Sequence, residues 1–243
     1  MQITKQIPNT ITLLNLVSGS IAIVFAVGSQ LELAAWMIGV AAVFDFFDGF
    51  AARLLKVSSD IGKELDSLAD VISFGLAPGM ILFNMLNNSD TCPEIFIGNQ
   101  NIVPFIAFLI PAFSAYRLAK FNLDTRQTDS FIGLPTPANA LLIASFPLIM
   151  NQGINLFGIN MAFFTDVISH AGFLIPFIFL FSWLLIAEMP LMSLKFKTFG
   201  WNDNKARFIF LISSLVLFAV FQYLAVPLII LLYLLLSFAQ DKK

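Results

Sequence analysis

Residues 43–75 read VFDFFDGFAARLLKVSSDIGKELDSLADVISFG, a run that sets Asp45, Asp48, Asp66 and Asp70 into or against apolar helix. An aspartate at the centre of a membrane helix costs about 2.5–3.5 kcal/mol, and less toward the ends, so four of them demand compensation. Asp45 and Asp48 are three apart and Asp66 and Asp70 four apart, which puts each pair on one face of its own helix. The first helix ends near Leu55 and the next starts near Gly62, so a short connection makes them antiparallel neighbours and brings both pairs to similar depth. Four carboxylates converging in a poorly solvated cleft repel one another and take up protons unless cations hold them. All-oxygen ligation favours Mg²⁺ or Mn²⁺ over zinc, and a pair of divalent ions offsets four charges. Ions held in this way bridge substrate phosphates and act as Lewis acid and template for displacement at phosphorus. Gly49, Gly62 and Ala52 either leave room for a bulky ligand beside the acidic cluster or serve close helix packing. Arg53 adds a basic group for phosphate.

Outward from this segment the chain remains apolar. Of its 243 residues, 58% are hydrophobic and 12% charged, with mean hydropathy +0.88, outside the usual balance of a soluble domain. Apolar runs fall at 9–28, 33–55, 65–87, 102–121, 138–157, 172–193, 206–222 and 224–239. The expected fold is all-α: a polytopic transmembrane bundle of about eight spans, forming a single membrane-embedded domain over residues 1–243. The last two runs are divided only by Gln222, Tyr223 and Pro227, so one long kinked helix is the alternative to two spans. With eight spans, Lys5, Arg53, Lys56, Lys63, Arg117, Lys120, Arg126, Lys195, Lys197, Lys205, Arg207, Lys242 and Lys243 share one side. The opposite loops carry Glu32, Asp90, Glu94 and Asp166 and no Lys or Arg. The positive-inside rule then places both termini and the acidic cluster on the cytoplasmic side of the cell membrane. A formal net charge of −2, with basic residues spread along the chain, gives no case for a nucleic-acid partner. Cys92 is the only cysteine, which excludes an intrachain disulfide and a cysteine-ligated zinc site. His170, the only histidine, falls on the side away from the aspartates and is read as structural.

The pattern Asp45-x2-Asp48-Gly49-x2-Ala52-Arg53-x8-Gly62-x3-Asp66-x3-Asp70 resembles the complete signature of the CDP-alcohol phosphatidyltransferase family. It fixes eight residues over 26 positions, far more than a lone DxxD would. The resemblance implies that Asp45, Asp48 and Asp66 ligate metal, and that Asp70 deprotonates the acceptor hydroxyl while also touching metal. It implies that Gly49, Ala52, Arg53 and Gly62 surround the CDP moiety, and that the protein is a homodimer. The reaction implied is attack of an alcohol on the β-phosphorus of a CDP-linked lipid, with CMP as leaving group.

Two further stretches resemble the serine-accepting branch, the phosphatidylserine synthases. These are PNTITLLN at 8–15 and SAYRLAKFNLDTRQTDSFIGLPTPA at 114–138. That branch implies CDP-diacylglycerol and L-serine as substrates. Lys120 stands where the branch more usually has arginine, which keeps the charge but loses the planar fork. Arg117 and Lys120, three apart, are candidates for holding the serine carboxylate or substrate phosphate, or are inside-loop anchors. Gly133-Leu-Pro-Thr-Pro137 stiffens the start of the fifth span. The resemblance covers about residues 7–140, and the spans over 172–239 are assigned on hydropathy alone. Phosphatidylglycerophosphate synthase is the alternative within the family, disfavoured because that branch typically shows arginine where Asn15 stands. A cation-coupled transporter would place its carboxylates near the midplane between repeated halves, and a prenyl-diphosphate transferase would need a second Asp-rich element. The chain has neither feature.

Overall fold

Three residues fix the reversal between the two acidic helices. Helix α2 (Leu31–Leu55) is closed by Lys56 in the left-handed conformation, its N–H turned back to the Ala52 and Arg53 carbonyls. Helix α3 (Asp60–Asp70) is opened by Ser59, whose hydroxyl accepts from the Gly62 N–H at 3.0 Å. Asp60 in the first turn adds a charge favourable to the helix dipole. The computed structural model describes residues 2–57, 59–123, 131–153, 158, 160–192 and 200–241. Of the basic set, Arg126, Lys195, Lys197, Lys242 and Lys243 lie outside the described residues, as do positions 154–157 of the fifth expected span and 193 of the sixth.

Helix α1 (Gln2–Val27) pairs along its length with α2. On α1 Thr12, Asn15, Gly19, Ala22 and Ala26 recur at alternating steps of three and four, and on α2 Ala34, Ile38, Ala41, Asp45 and Asp48 do the same. Small side chains let the two backbones close, which matters in lipid because packing, and not expulsion of water, holds helices together there. The polar members of both stripes gather at one end, so the seam that packs the hairpin also aims the aspartates.

Helix α3 runs through a π-helical turn, Val71–Leu76, into α4 (Ala77–Asn87). A short 3-10 segment, Val103–Phe108, leads into α5 (Leu109–Leu123), followed by α6 (Thr136–Asn151), α7 (Ala162–Ser169), α8 (Ala171–Ile186), α9 (Trp201–Phe221) and α10 (Ala225–Asp241). Two minimal antiparallel pairs complete the described structure: β1 (Phe96–Ile97) with β2 (Gln100–Asn101), and β3 (Phe131–Ile132) with β4 (Pro190–Leu191). Helices α4 and α6 carry much of the core, with Phe74 of the π turn and Ile81, Leu82, Leu86, Ile143, Phe146 and Ile149 almost wholly buried. Val17, Val24, Phe46, Phe47, Leu215 and Phe218 face outward, an apolar exterior that suits lipid and marks a membrane protein.

Among the described residues five stretches are each long and apolar enough to cross a membrane: Gln6–Val27, Leu31–Leu55, Asp60–Asn87, Val103–Leu123 and Asn204–Phe238. The pair α7 and α8, bent by 68°, makes a sixth if taken as one span. Asn204–Phe238 is a hairpin. The rings of Phe210 and Tyr233 approach to 5.7 Å between centroids, whereas one continuous helix would hold them roughly 35 Å apart. The reversal sits at Gln222, with φ 52° and ψ −119°. Helix α6, 16 residues and about 24 Å long, is shorter than a typical span. With α6 and both arms of the hairpin counted, the eight apolar runs each hold a helix; the fifth ends earlier than hydropathy indicated, at Asn151, and the sixth at Ile186.

The bundle has two polar ends. At one, Lys63 Nζ donates to the Asn122 carbonyl (3.0 Å), Arg117 Nη1 to Thr136 Oγ1 (3.1 Å) and Tyr233 Oη to the Met192 carbonyl (3.0 Å). At the other, Asn84 Nδ2 donates to the Ala26 carbonyl (3.2 Å), Asn151 Nδ2 to Glu32 Oε2 (2.6 Å) and Gln152 Nε2 to Gln222 Oε1 (2.8 Å). Both acidic pairs stand at the first end. His170 lies away from them, where its Nδ1 accepts from the Gly172 N–H at 3.0 Å and caps α8.

Candidate active site

Asp45, Asp48 and Asp66 each offer a carboxylate oxygen within 4.8 Å of the others. Asp48 is buried and the other two are half-buried. Thr12 Oγ1 donates to Asp48 Oδ2 at 2.7 Å, which fixes that carboxylate against α1. Asp66 Oδ1 is buried with no hydrogen-bond partner. An ionised oxygen kept from water without a donor is costly, about 1–3 kcal/mol or more for a charged group. A cation held among the three aspartates removes that cost, and their all-oxygen donor set suits a hard divalent ion. The three residues therefore fit a divalent metal.

Asp70 stands outside that trio but beside Asp45, near enough for the two carboxyls to interact. It is buried, and Asn15 Nδ2 donates to its Oδ1 at 3.3 Å. Asn15 is itself held, because Ser73 Oγ in the π turn donates to its carbonyl at 3.0 Å. The contact between α1 and the π turn depends on Gly19, where an added Cβ would lie 2.6 Å from Ser73 Cα.

A cavity of about 220 Å³ opens beside the trio, walled by Asp48, Gly49, Ala52, Gly62 and Asp66 together with Asn9, Thr12, Ser59 and Lys63. Gly62 keeps this space open, since a Cβ there would meet Asn9 Oδ1 and Ser59 Oγ at 2.9 Å each. Five signature positions thus share one wall. Arg53 is exposed and does not line the cavity; its guanidinium lies over Gly49, with Nη1 3.5 Å from where a Cβ would sit. Arg117 is buried, donates to Thr136 and lies near enough to Asp70 for their charges to interact. Lys120 lies nearer the surface and pairs with Glu188 at 2.9 Å.

A family model described as CDP-alcohol phosphatidyltransferase matches residues 5–192, which takes in every residue of this site. The chain belongs to this family. Among CDP-alcohol phosphatidyltransferases it is similar to a Helicobacter pylori protein named CDP-diacylglycerol–serine O-phosphatidyltransferase, 36% identical over 149 residues that make up 60% of this chain and 58% of the relative. A Methanocaldococcus jannaschii protein of the same name is 36% identical over 146 residues, 60% of this chain and 62% of the relative. One from Bacillus subtilis is 37% identical over 142 residues, 58% of this chain and 75% of the relative. The chain thus spans less than two thirds of the Helicobacter and Methanocaldococcus proteins it matches.

The signature brings the acidic residues to one place, while Asn9, Thr12, Asn15, Ser59 and Lys63, which also stand at the site, lie outside its fixed positions. A signal for three of them was available. Asn9, Thr12 and Asn15 recur every three residues in an otherwise apolar span, one polar stripe that needs partners of its own kind.

Proposed function

We propose that this CDP-alcohol phosphatidyltransferase transfers the phosphatidyl group of CDP-diacylglycerol to the hydroxyl of L-serine, giving phosphatidylserine and CMP. The observation that carries this reading is the convergence of Asp45, Asp48 and Asp66 on the wall of a cavity kept open by Gly62. The serine acceptor is supported by the names of the relatives above and by the motifs at 8–15 and 114–138.

Asp45, Asp48 and Asp66, with Asp70 at their edge, would hold Mg²⁺ or Mn²⁺, two ions by the balance of four negative charges. Bound there, such ions supply Lewis-acid stabilisation to the pyrophosphate. Gly49, Ala52 and Gly62 leave the nucleotide room against the backbone, while Lys63 and Arg53 offer charge to phosphate oxygens. Asp70, oriented by the Asn15 amide, takes the proton of the serine hydroxyl as that oxygen bonds to the β-phosphorus. The bond from the β-phosphorus to the bridging oxygen breaks, and CMP leaves with that oxygen. Arg117, buried and near Asp70, holds the serine carboxylate or a phosphate oxygen; Lys120 is the weaker candidate because Glu188 already engages it.

The carboxylates cluster at one end of the bundle, which disfavours a transporter, whose ion sites are expected near the midplane. In this reading the whole chain is one catalytic unit in the cell membrane, with that end and both termini in the cytoplasm and a homodimer as the assembly. The test offers purified protein CDP-diacylglycerol and Mg²⁺ or Mn²⁺ with serine, glycerol 3-phosphate or inositol in separate reactions, and measures CMP. Release that depends on serine is expected. Release only with another acceptor would refute the serine reading.

A further inference from the structure

Beside Arg117 lie two further buried polar side chains to which the transfer reaction as described gives no task. Helices α5 and α6 face each other at Arg117 and Thr136. One turn further from the acidic end, α5 carries Ser114 and α6 carries Asn139, both with no solvent exposure. The π turn after Asp70 packs against this region, for a Cβ on Gly75 would stand 3.2 Å from Ser114 Cβ. Asn139 Nδ2 and Oδ1, Ser114 Oγ and Arg117 Nε all lack a hydrogen-bond partner. Buried amides without partners are rare because the desolvation of each group goes uncompensated. Here both halves of one amide, a hydroxyl and a guanidinium N–H are left open within two helical turns of one another.

The open groups have a definite chemistry. Arg117 Nε and Asn139 Nδ2 are donors, suited to a carboxylate; Asn139 Oδ1 is an acceptor, suited to an ammonium; Ser114 Oγ serves either. Among the described residues Arg117 makes no ion pair within 4 Å, and Asp70 acts on it only at longer range, which leaves its Nε edge to face an anionic group. We infer that Asn139, with Ser114 and the Nε edge of Arg117, forms the acceptor subsite, gripping a small zwitterionic α-amino acid by its carboxylate and ammonium with its hydroxyl toward Asp70. This rests on the serine reading above and names the residue that enforces it. Glycerol 3-phosphate has no ammonium for Asn139 Oδ1, and inositol has neither charged group.

The test is steady-state CMP release by the enzyme carrying Asn139→Leu, which keeps the branched four-atom skeleton of asparagine, or Asn139→Ala, with serine and CDP-diacylglycerol varied in turn. The KM for serine is expected to rise about tenfold or more in both, while the KM for CDP-diacylglycerol moves less than about twofold. Asn139→Leu is also expected to unfold at the same temperature as wild type or higher, because an uncompensated amide has been replaced by an apolar side chain, an outcome that a structural amide would not give. Serine KM values within about twofold of wild type in both variants would overturn the inference alone. A wild-type enzyme whose CMP release is indifferent to serine would overturn the serine reading and the subsite with it.

Discussion

Asp48 illustrates how a single residue here is specified from several directions. It is buried, placed by the α1–α2 seam and held by the Thr12 hydroxyl at 2.7 Å. The Pro8 carbonyl also lies 3.1 Å from this oxygen, so the single hydroxyl proton sits between a local and a long-range acceptor, with the shorter contact going to Asp48. A hydrogen bond to a charged group contributes about 1.5–3 kcal/mol. Thr12→Val keeps the side-chain shape and loses the donor, and we expect kcat in the CMP assay to fall roughly tenfold or more, with Thr12→Ser restoring most of it. Equal turnover in the valine variant would show that Asp48 needs no help from α1. The aspartates were legible in the sequence because a charge in an apolar run is expensive and therefore conspicuous. Thr12 and Asn15 leave only the fainter trace of a polar stripe with Asn9, because a single polar group in a membrane helix is often satisfied by its own backbone, as Ser18 is by the Leu14 carbonyl at 2.8 Å.

At the level of elements, the site depends on the span Asp60–Asn87 packing against α1 on both sides of the π turn at Val71–Leu76. An extra residue in the helical turn rotates the helix beyond it, so α3 turns Asp66 and Asp70 toward α1 and α2 while α4 continues with an almost fully apolar buried face. Periodicity alone hides such a turn, since residues 71–86 are apolar on nearly every side and carry no clear phase for an inserted residue to break. Hydropathy places the eight runs and divides the last two at Gln222–Pro227, where the α9–α10 pair does reverse, with Phe210 meeting Tyr233; it does not show how short α6 is, which is fixed by backbone angles. Gly19 is where α1 rests on the π turn. Gly19→Ala forces the two backbones apart, and a loss of about 1–3 kcal/mol is expected, read as a lower unfolding temperature in detergent together with weaker serine-dependent turnover. An unchanged unfolding temperature would mean that the contact is loose.

Across the whole molecule, the apolar exterior and the acidic end are two consequences of one arrangement. Lipid surrounds the bundle on its sides, so polar chemistry is confined to the ends, where α1, α2, α3, α5 and α6 bring Thr12, Asp45, Asp48, Asp66, Asp70 and Arg117 within reach of one another. On the function proposed above, a CDP-linked lipid would meet that boundary with its acyl chains toward the apolar sides and its nucleotide at the polar end. That proposal requires these carboxylates to share their space with divalent cations. It is tested by stripping the purified enzyme of metal with excess chelator, removing the chelator and following CMP release from CDP-diacylglycerol and serine before and after Mg²⁺ or Mn²⁺ is returned. Turnover should vanish on stripping and come back with either ion; undiminished release from the stripped enzyme would contradict the assignment of Asp45, Asp48 and Asp66 as a metal site.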